Sequence, residues 1–455
     1  MSELKIIIRH AGTVLVGQLA VMAFGVADAI IAGRYSDTAL AALSVGSAIY
    51  ISVYVSLIGI VQALLPIWAQ LLGANKHQAI GRSLRQSLYF SGLITLAGMT
   101  ALLFPAALLR WAQVPEAMLS EVQSYLTVLA FAFAPSILFR LYSTFNQSLG
   151  KPLLVTWLQV GALLVKIPLS IWWVAGGAGV EPMGVVGCAW ATLVVNYLLL
   201  ALGLVMLRTQ TLYKPFCIWQ PMERPNWRTI GNFARLGIPA GLAYLVKVTS
   251  FTLMAVFIAR LGVTASASHQ IAASMAAVLY MMPLSMAIAC STRVSFWLGA
   301  GKPDHAKRIV LLGLKLTAAL SIALVAILLI AKTSLAGFYS ANPAIVSTAS
   351  SLLVWVAVYH LADSLQAVCA FLLRCYRVTL APLVVYGVLL WGFGLYGGYL
   401  LTYEGLFGLQ ATPSPNTFWI TSSLALWLVA MCFLGLLWHA VRKNQHANSA
   451  PIQAV

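Results

Sequence analysis

The chain of 455 residues is 61% hydrophobic and only 8% charged, a balance that excludes a water-soluble domain of this length. Its formal charge of +17 suggests a nucleic-acid partner at first sight, but the cations gather in loops between apolar runs, so the basicity reads as a membrane-topology signal and no nucleic acid is expected. No P-loop, HExxH or nucleophile elbow occurs, and the six cysteines show no CxxC spacing; enzyme, cofactor and metal readings find no support.

Apolar runs long enough to cross about 30 Å of hydrocarbon as helices recur along the whole chain. Twelve are predicted, at 12–33, 46–72, 87–109, 122–147, 153–175, 184–206, 236–259, 270–298, 310–331, 345–372, 380–402 and 417–441. The opening MSELKIIIRH has no small-residue cleavage site after a short apolar core, so the first run is expected to be a retained span.

The first span contains FGVADAIIAG (24–33), with Asp28 inside an otherwise oily stretch. An ionised Asp at a helix centre costs roughly 2.5–3.5 kcal/mol on insertion scales, so such a residue needs a partner or a task. Arg140, near the end of span four, is expected to snorkel or cap a helix end, as is Arg293 in span eight. Span five carries Lys166 in LLVKIPLSIWW (163–173), and span seven carries Lys247 in AYLVKVTSF (243–251), both too central to snorkel. His269 reads as a satisfied buried histidine, and the neighbouring Gln270 can offer hydrogen bonds to a cavity or merely pack. Span ten holds Tyr359, His360 and Asp363, with His360 one turn before the carboxylate on the same helix face.

Eight of the ten acidic residues fall in loops or at span ends, leaving only Asp28 and Asp363 within spans. Each half of the chain thus has one deep Asp and one deep Lys. The economical inference is an Asp28–Lys166 pair and an Asp363–Lys247 pair.

With the first loop placed outside, Arg34, Arg110, Arg260 and Lys332 face out. The remaining loop cations, from Lys5 and Arg9 through Arg208, Lys214, Arg224, Arg228 and Arg235 to Arg442 and Lys443, fall on the opposite side. This excess places both termini in the cytoplasm.

The longest polar stretch, 208–235, divides the chain into an N-terminal lobe (1–207) and a C-terminal lobe (236–441), with a cytoplasmic tail at 442–455. Shifting the sequence by 226 residues lays Leu72, Gly73, Ala74, Lys76 and Arg82 on Leu298, Gly299, Ala300, Lys302 and Arg308. An internal repeat of six spans follows. Six is even, so the copies are parallel, a geometry suited to two bundles rocking in alternating access. The linker and the cytoplasmic loops are expected to meet only solvent and anionic headgroups, and a monomer is the default.

FGVADAIIAG, ALLPIWAQLLGANK (63–76), ASHQIA (267–272), MPLSMAIACSTRVSFWLGAG (282–301) and YHLADSLQAV (359–368) occur in this order. In them the chain resembles the MATE family of multidrug and toxic compound extrusion transporters, in its NorM-like branch. The resemblance implies an all-α polytopic membrane protein whose two parallel six-helix repeats surround a V-shaped cavity. It also implies an antiporter that expels small organic, often cationic, compounds from the cell across the inner membrane while protons or sodium ions enter. Asp28 and Asp363 match carboxylates used by the family in coupling or binding, and Tyr359 and Gln270 match cavity-lining positions.

Two departures stand out. Lys247 occupies a position usually held by Glu, and the usual NIPLN pattern reads here Lys166-Ile167-Pro168-Leu169-Ser170. A fixed ammonium beside a sodium site repels the ion, so protons are the expected coupling ion. A lipid-linked oligosaccharide flippase of the same superfamily is the alternative, with Lys166, Lys247, Arg140 and Arg293 as its loose cationic lining.

Overall fold

The computed structural model describes residues 2–106, 109, 116–177, 179–405 and 410–446. Arg110 and residues 447–455 of the tail lie outside this set.

Among the described residues, twelve helices are long and apolar enough to span a membrane. They are α1 (Glu3–Tyr35), α2 (Asp37–Gly73), α3 (His77–Leu103), α4 (Met118–Ser148), α5 (Leu153–Ala175), α6 (Val185–Thr209), α7 (Trp227–Ala259), α8 (Val263–Gly299), α9 (Pro303–Tyr339), α10 (Pro343–Cys375), α11 (Leu380–Tyr403) and α12 (Pro415–Gln445). Most run beyond the apolar windows read from sequence. Hydropathy marks the hydrocarbon crossing, whereas a helix continues through the headgroup zone until a cap or breaker stops it. Ser36 ends the preceding turn and caps α2, its Oγ accepting from the Ala39 N–H at 3.0 Å. Asn342 does the same for α10, where its Oδ1 accepts from the Ala344 N–H at 3.0 Å.

The helix boundaries repeat as the sequence does. Asp37–Gly73 and Val263–Gly299 are offset by 226 at both ends, and His77 opens α3 where Pro303 opens α9. Even the turns agree: Asn75 and Gly301, offset by 226, both have positive φ, as do Gly150 and Arg377, each two residues past the end of α4 or α10. A left-handed residue recurring at the same place after corresponding helices shows that the backbone path itself is repeated.

The copies diverge in α11. Its residues Gly387–Tyr396 form π-helical turns, whereas its counterpart α5 is α-helical throughout, with Pro168 inside. π-Turns are rare outside functional or strained positions.

The chain forms two compact units, Val16–Gly241 and Met1–Leu15 with Leu242–Val455. In the first, α4 is the central helix and packs on α2, α3 and α6. Trp68, Phe133 and Phe145 are fully buried in its core. In the second, α10 takes the same central place against α8, α9 and α12.

The linker departs from the solvated loop expected of it. Helix α6 reaches Thr209 and α7 starts at Trp227, and the chain between includes a 3₁₀ turn at Thr211–Phe216. That segment is fastened to α3. Arg85 donates to the Cys217 carbonyl at 2.7 Å and pairs with Glu223 at 2.8 Å. Gln86 donates to the Arg224 carbonyl at 3.1 Å and accepts from the Asn226 N–H at 2.8 Å. Tyr89 donates to the Glu223 carbonyl at 2.9 Å. The sequence reading counted Arg85 as a topology charge, because its polar partners lie more than 130 residues away in sequence.

Candidate coupling site

Both intramembrane pairs form. In the first unit, Lys166 Nζ lies 2.9 Å from Asp28 Oδ2, joining α5 to α1. Ser170, one turn after Lys166, donates to Asp28 Oδ1 at 3.2 Å. Lys166 also donates to Thr192 Oγ1 of α6 at 2.8 Å, and Thr192 in turn donates to the Cys188 carbonyl. Phe24 lies 5.9 Å from the ammonium. Three helices thus converge on one buried ion pair, and both carboxylate oxygens are engaged. A buried pair tolerates its desolvation only with such supporting hydrogen bonds.

In the second unit, Lys247 Nζ lies 2.6 Å from Asp363 Oδ1, joining α7 to α10. The ammonium stands 3.9 Å from the centre of the Tyr280 ring of α8, a cation–π contact that replaces part of its lost hydration. Gln366 donates to Asp363 Oδ1 at 2.6 Å. Its carbonyl oxygen accepts from the hydroxyl of Tyr386, the last residue before the π-helical turns of α11.

The pairs are not copies of one another. Asp28 lies on α1 and Lys247 on α7, the equivalent first helices of the two repeats, so the sign of the charge is exchanged. The counter-ions come from α5 in one unit and from α10, the counterpart of α4, in the other.

Tyr359 and His360 are buried beside Asp363. His360 Nε2 lies 3.3 Å from Ser364 Oγ. Tyr359 packs edge-on against Trp419 at 5.6 Å, and its ring is 6.4 Å from Phe251. Gln270 stands apart with an exposed side chain. Its neighbour His269 is satisfied, accepting from the Trp419 indole at 3.2 Å.

Sequence reasoning missed Gln366, Tyr280, Tyr386 and Thr192. Gln366 was accessible to it, being three residues after Asp363 on the same helix face. The other three come from different helices. Arg293 also differs from its expected snorkelling role. Its guanidinium forms a two-pronged ion pair with Glu3, at 2.9 and 2.5 Å, and Trp297 donates to the same carboxylate at 3.1 Å. Glu3 is one of the eight acidic residues that the sequence places in loops or at span ends.

A twelve-helix repeat with charge pairs buried across its spans has the build of a membrane transporter. The MatE family model matches residues 14–172 and again 239–400, once in each repeat, and the chain belongs to this transporter family. It is 35% identical to the "Probable multidrug resistance protein NorM" of Aromatoleum aromaticum, over 97% of this chain and 95% of that one. It is 31% identical to the multidrug resistance protein PmpM of Pseudomonas aeruginosa, over 92% of this chain and 87% of that one. Among solved structures, the eukaryotic MATE transporter AtDTX14 superposes with a TM-score of 0.85 at 18% identity, over 98% of this chain and 99% of that one. The bent form of the Vibrio cholerae transporter VcmN gives 0.83 at 15% identity, with 98% of each chain covered. These last two establish the shared fold.

Proposed function

We propose that this protein is a multidrug efflux antiporter of the inner membrane, exporting small organic compounds in exchange for protons. The relatives named for multidrug resistance, aligned over nearly the whole chain, support the efflux reading. The observation that carries the choice of ion is the pair of ammonium groups on Asp28 and Asp363. A sodium ion needs those oxygens, and here a fixed cation already holds one oxygen of each carboxylate.

In each pair, desolvation favours the two neutral forms while mutual attraction favours the two charged ones. A change in the water that reaches the pair therefore alters the balance between the two. Hydration on the outer side lets a proton enter the pair; its loss on the inner side restores the ion pair. Ser170 holds Asp28 in place, and His360 and Tyr359 shape the surroundings of Asp363. Gln270, exposed on α8, is a substrate contact. The two six-helix halves, 1–207 and 236–441, act as the alternating elements within a monomer whose termini are cytoplasmic.

The flippase alternative draws on Lys166, Lys247, Arg140 and Arg293 as a cationic cavity lining. Lys166, Lys247 and Arg293 are all ion-paired, which counts against it. Efflux of a fluorescent organic cation from proteoliposomes tests the proposal, with proton and sodium gradients imposed separately. Drive by the proton gradient alone is expected, and drive by sodium alone would overturn the choice of ion.

A further inference from the structure

The repeat supplies an internal comparison at the loop-side ends of α3 and α9. In the first unit, the segment after α6 folds back over one face of α3. Phe216 packs against His77 at 5.7 Å between ring centres, and Arg85 holds the Cys217 carbonyl. Between these two residues lies Gly81, where an added Cβ would meet the Phe216 carbonyl oxygen at 1.9 Å. The face His77, Gly81, Arg85 corresponds, at the offset of 226, to Pro303, Lys307 and Leu311 of α9.

In the second unit no strap covers that face among the described residues, although Lys307 donates to Gln445 Oε1 of α12 at 3.4 Å. Leu311 and Leu314 of α9 and Leu434 and Val441 of α12 line a shallow, partly open cleft of about 40 Å³, with Lys307 and Trp438 at its charged end. Lys307 stands 5.4 Å from the Trp438 ring and Arg442 stands 4.9 Å from it, so two cations bracket one indole. Among the described residues neither cation has a carboxylate within ion-pair distance. The nearby Asp304 accepts a hydrogen bond from Gln445. Lys315 continues the Lys307–Leu311 row one turn further along and is exposed. Its stem leans back towards the start of α9, and so towards the same charged end.

We propose that this cleft binds an anionic phospholipid, its phosphate held by Lys307 and Arg442 and an acyl chain laid along Leu311, Leu314 and Leu434. The shape fits such a ligand: cations lie where α9 begins and α12 ends, and apart from Lys307 and Trp438 the cleft itself is lined by aliphatic side chains. Trp438 suits the boundary between headgroup and hydrocarbon. The replacement of Gly81 by a lysine removes the room a docked peptide strap needs and supplies an attraction for negative charge. The chain's own segment 447–455 carries no acidic side chain to match the cations.

The test is native mass spectrometry of the full chain in mild detergent, titrated with phosphatidylglycerol or with phosphatidylcholine of the same acyl chains. A preference for phosphatidylglycerol of about tenfold is expected, from the usual contribution of a basic side chain at an anionic lipid surface. The double variant Lys307→Gln, Arg442→Gln should abolish that preference, Arg442→Gln alone should reduce it, and Lys307→Arg should keep it. Melting temperatures measured alongside confirm folding. Deletion of residues 447–455 should leave the preference unchanged. Equal binding of the two lipids, a preference that survives in the double variant, or a several-fold gain in phosphatidylglycerol binding on deletion of the tail would overturn the assignment.

Discussion

Lys247 reaches Asp363 at 2.6 Å with 18% of its own side chain exposed, whereas Lys166, 2.9 Å from Asp28, is 1% exposed. The same chemistry is thus sealed in one unit and open to exchange in the other. This difference separates the roles expected of the two lysines.

Removing Lys166 leaves a buried carboxylate without its counter-ion. Lys166→Met should destabilise the protein by roughly 3–5 kcal/mol, the usual penalty for breaking a buried pair from one side. Combining it with Asp28→Asn should recover most of that loss. Thermal unfolding of the purified variants in detergent gives both values.

Lys247→Gln should leave a folded protein, because the more open pair can rehydrate. Transport driven by a proton gradient should fall at least tenfold while substrate binding persists. Proteoliposome efflux beside a binding titration separates the two quantities; a wild-type response to the gradient would exclude Lys247 from coupling.

Tyr386→Phe removes the donor to Gln366 and leaves the amide carbonyl, itself fully buried, without its partner. An unsatisfied buried group of this kind costs about 1–3 kcal/mol. Because Gln366 also bonds Asp363, the dependence of transport on pH should shift as well. Gln366→Leu strands the buried Tyr386 hydroxyl and takes a donor from Asp363, so it should cost at least as much stability and shift the pH dependence similarly, and adding Tyr386→Phe should recover part of the loss.

The linker provides a prediction outside the membrane. The hydrogen bond from Arg85 holds the Glu223 carboxyl below its ordinary value of 4.5. A depressed carboxyl stabilises the folded arrangement above that ordinary value and loses the contribution as pH falls through the lowered one. Protection of residues 211–226 from hydrogen exchange should therefore hold from neutral pH down to about 4.5 and decline below it. Glu223→Gln should weaken protection at neutral pH, and Gly81→Ala should do so at every pH by pushing on the Phe216 carbonyl.

The membrane spans, the repeat and both ion pairs were readable because the bilayer makes their signals costly to fake. An Asp or Lys inside a span needs a partner, and each half supplied one of each sign. The clamp of Arg85 on the linker was not readable, since an arginine at a helix end is unremarkable and its carbonyl partners leave no mark in the sequence. Thr192, Tyr280 and Tyr386 were hidden for a related reason. Their residue types are common in apolar helices, and only packing between distant helices brings them to a charge. The π-helical turns of α11 were equally silent, although Gly387, Gly392 and Gly394 in that stretch weaken the preference for a regular helix.

The pairing also sets a problem of timing during synthesis. Lys247 emerges from the ribosome 116 residues before Asp363, and Asp28 precedes Lys166 by a still longer stretch. At ordinary elongation rates the first member waits on the order of ten seconds for its counter-ion. Each first helix must therefore enter the bilayer with its titratable group neutral or shielded by the insertion machinery. The ion pairs close only when α5 and α10, the fifth and fourth helices of their halves, arrive, so in biogenesis they act as late latches.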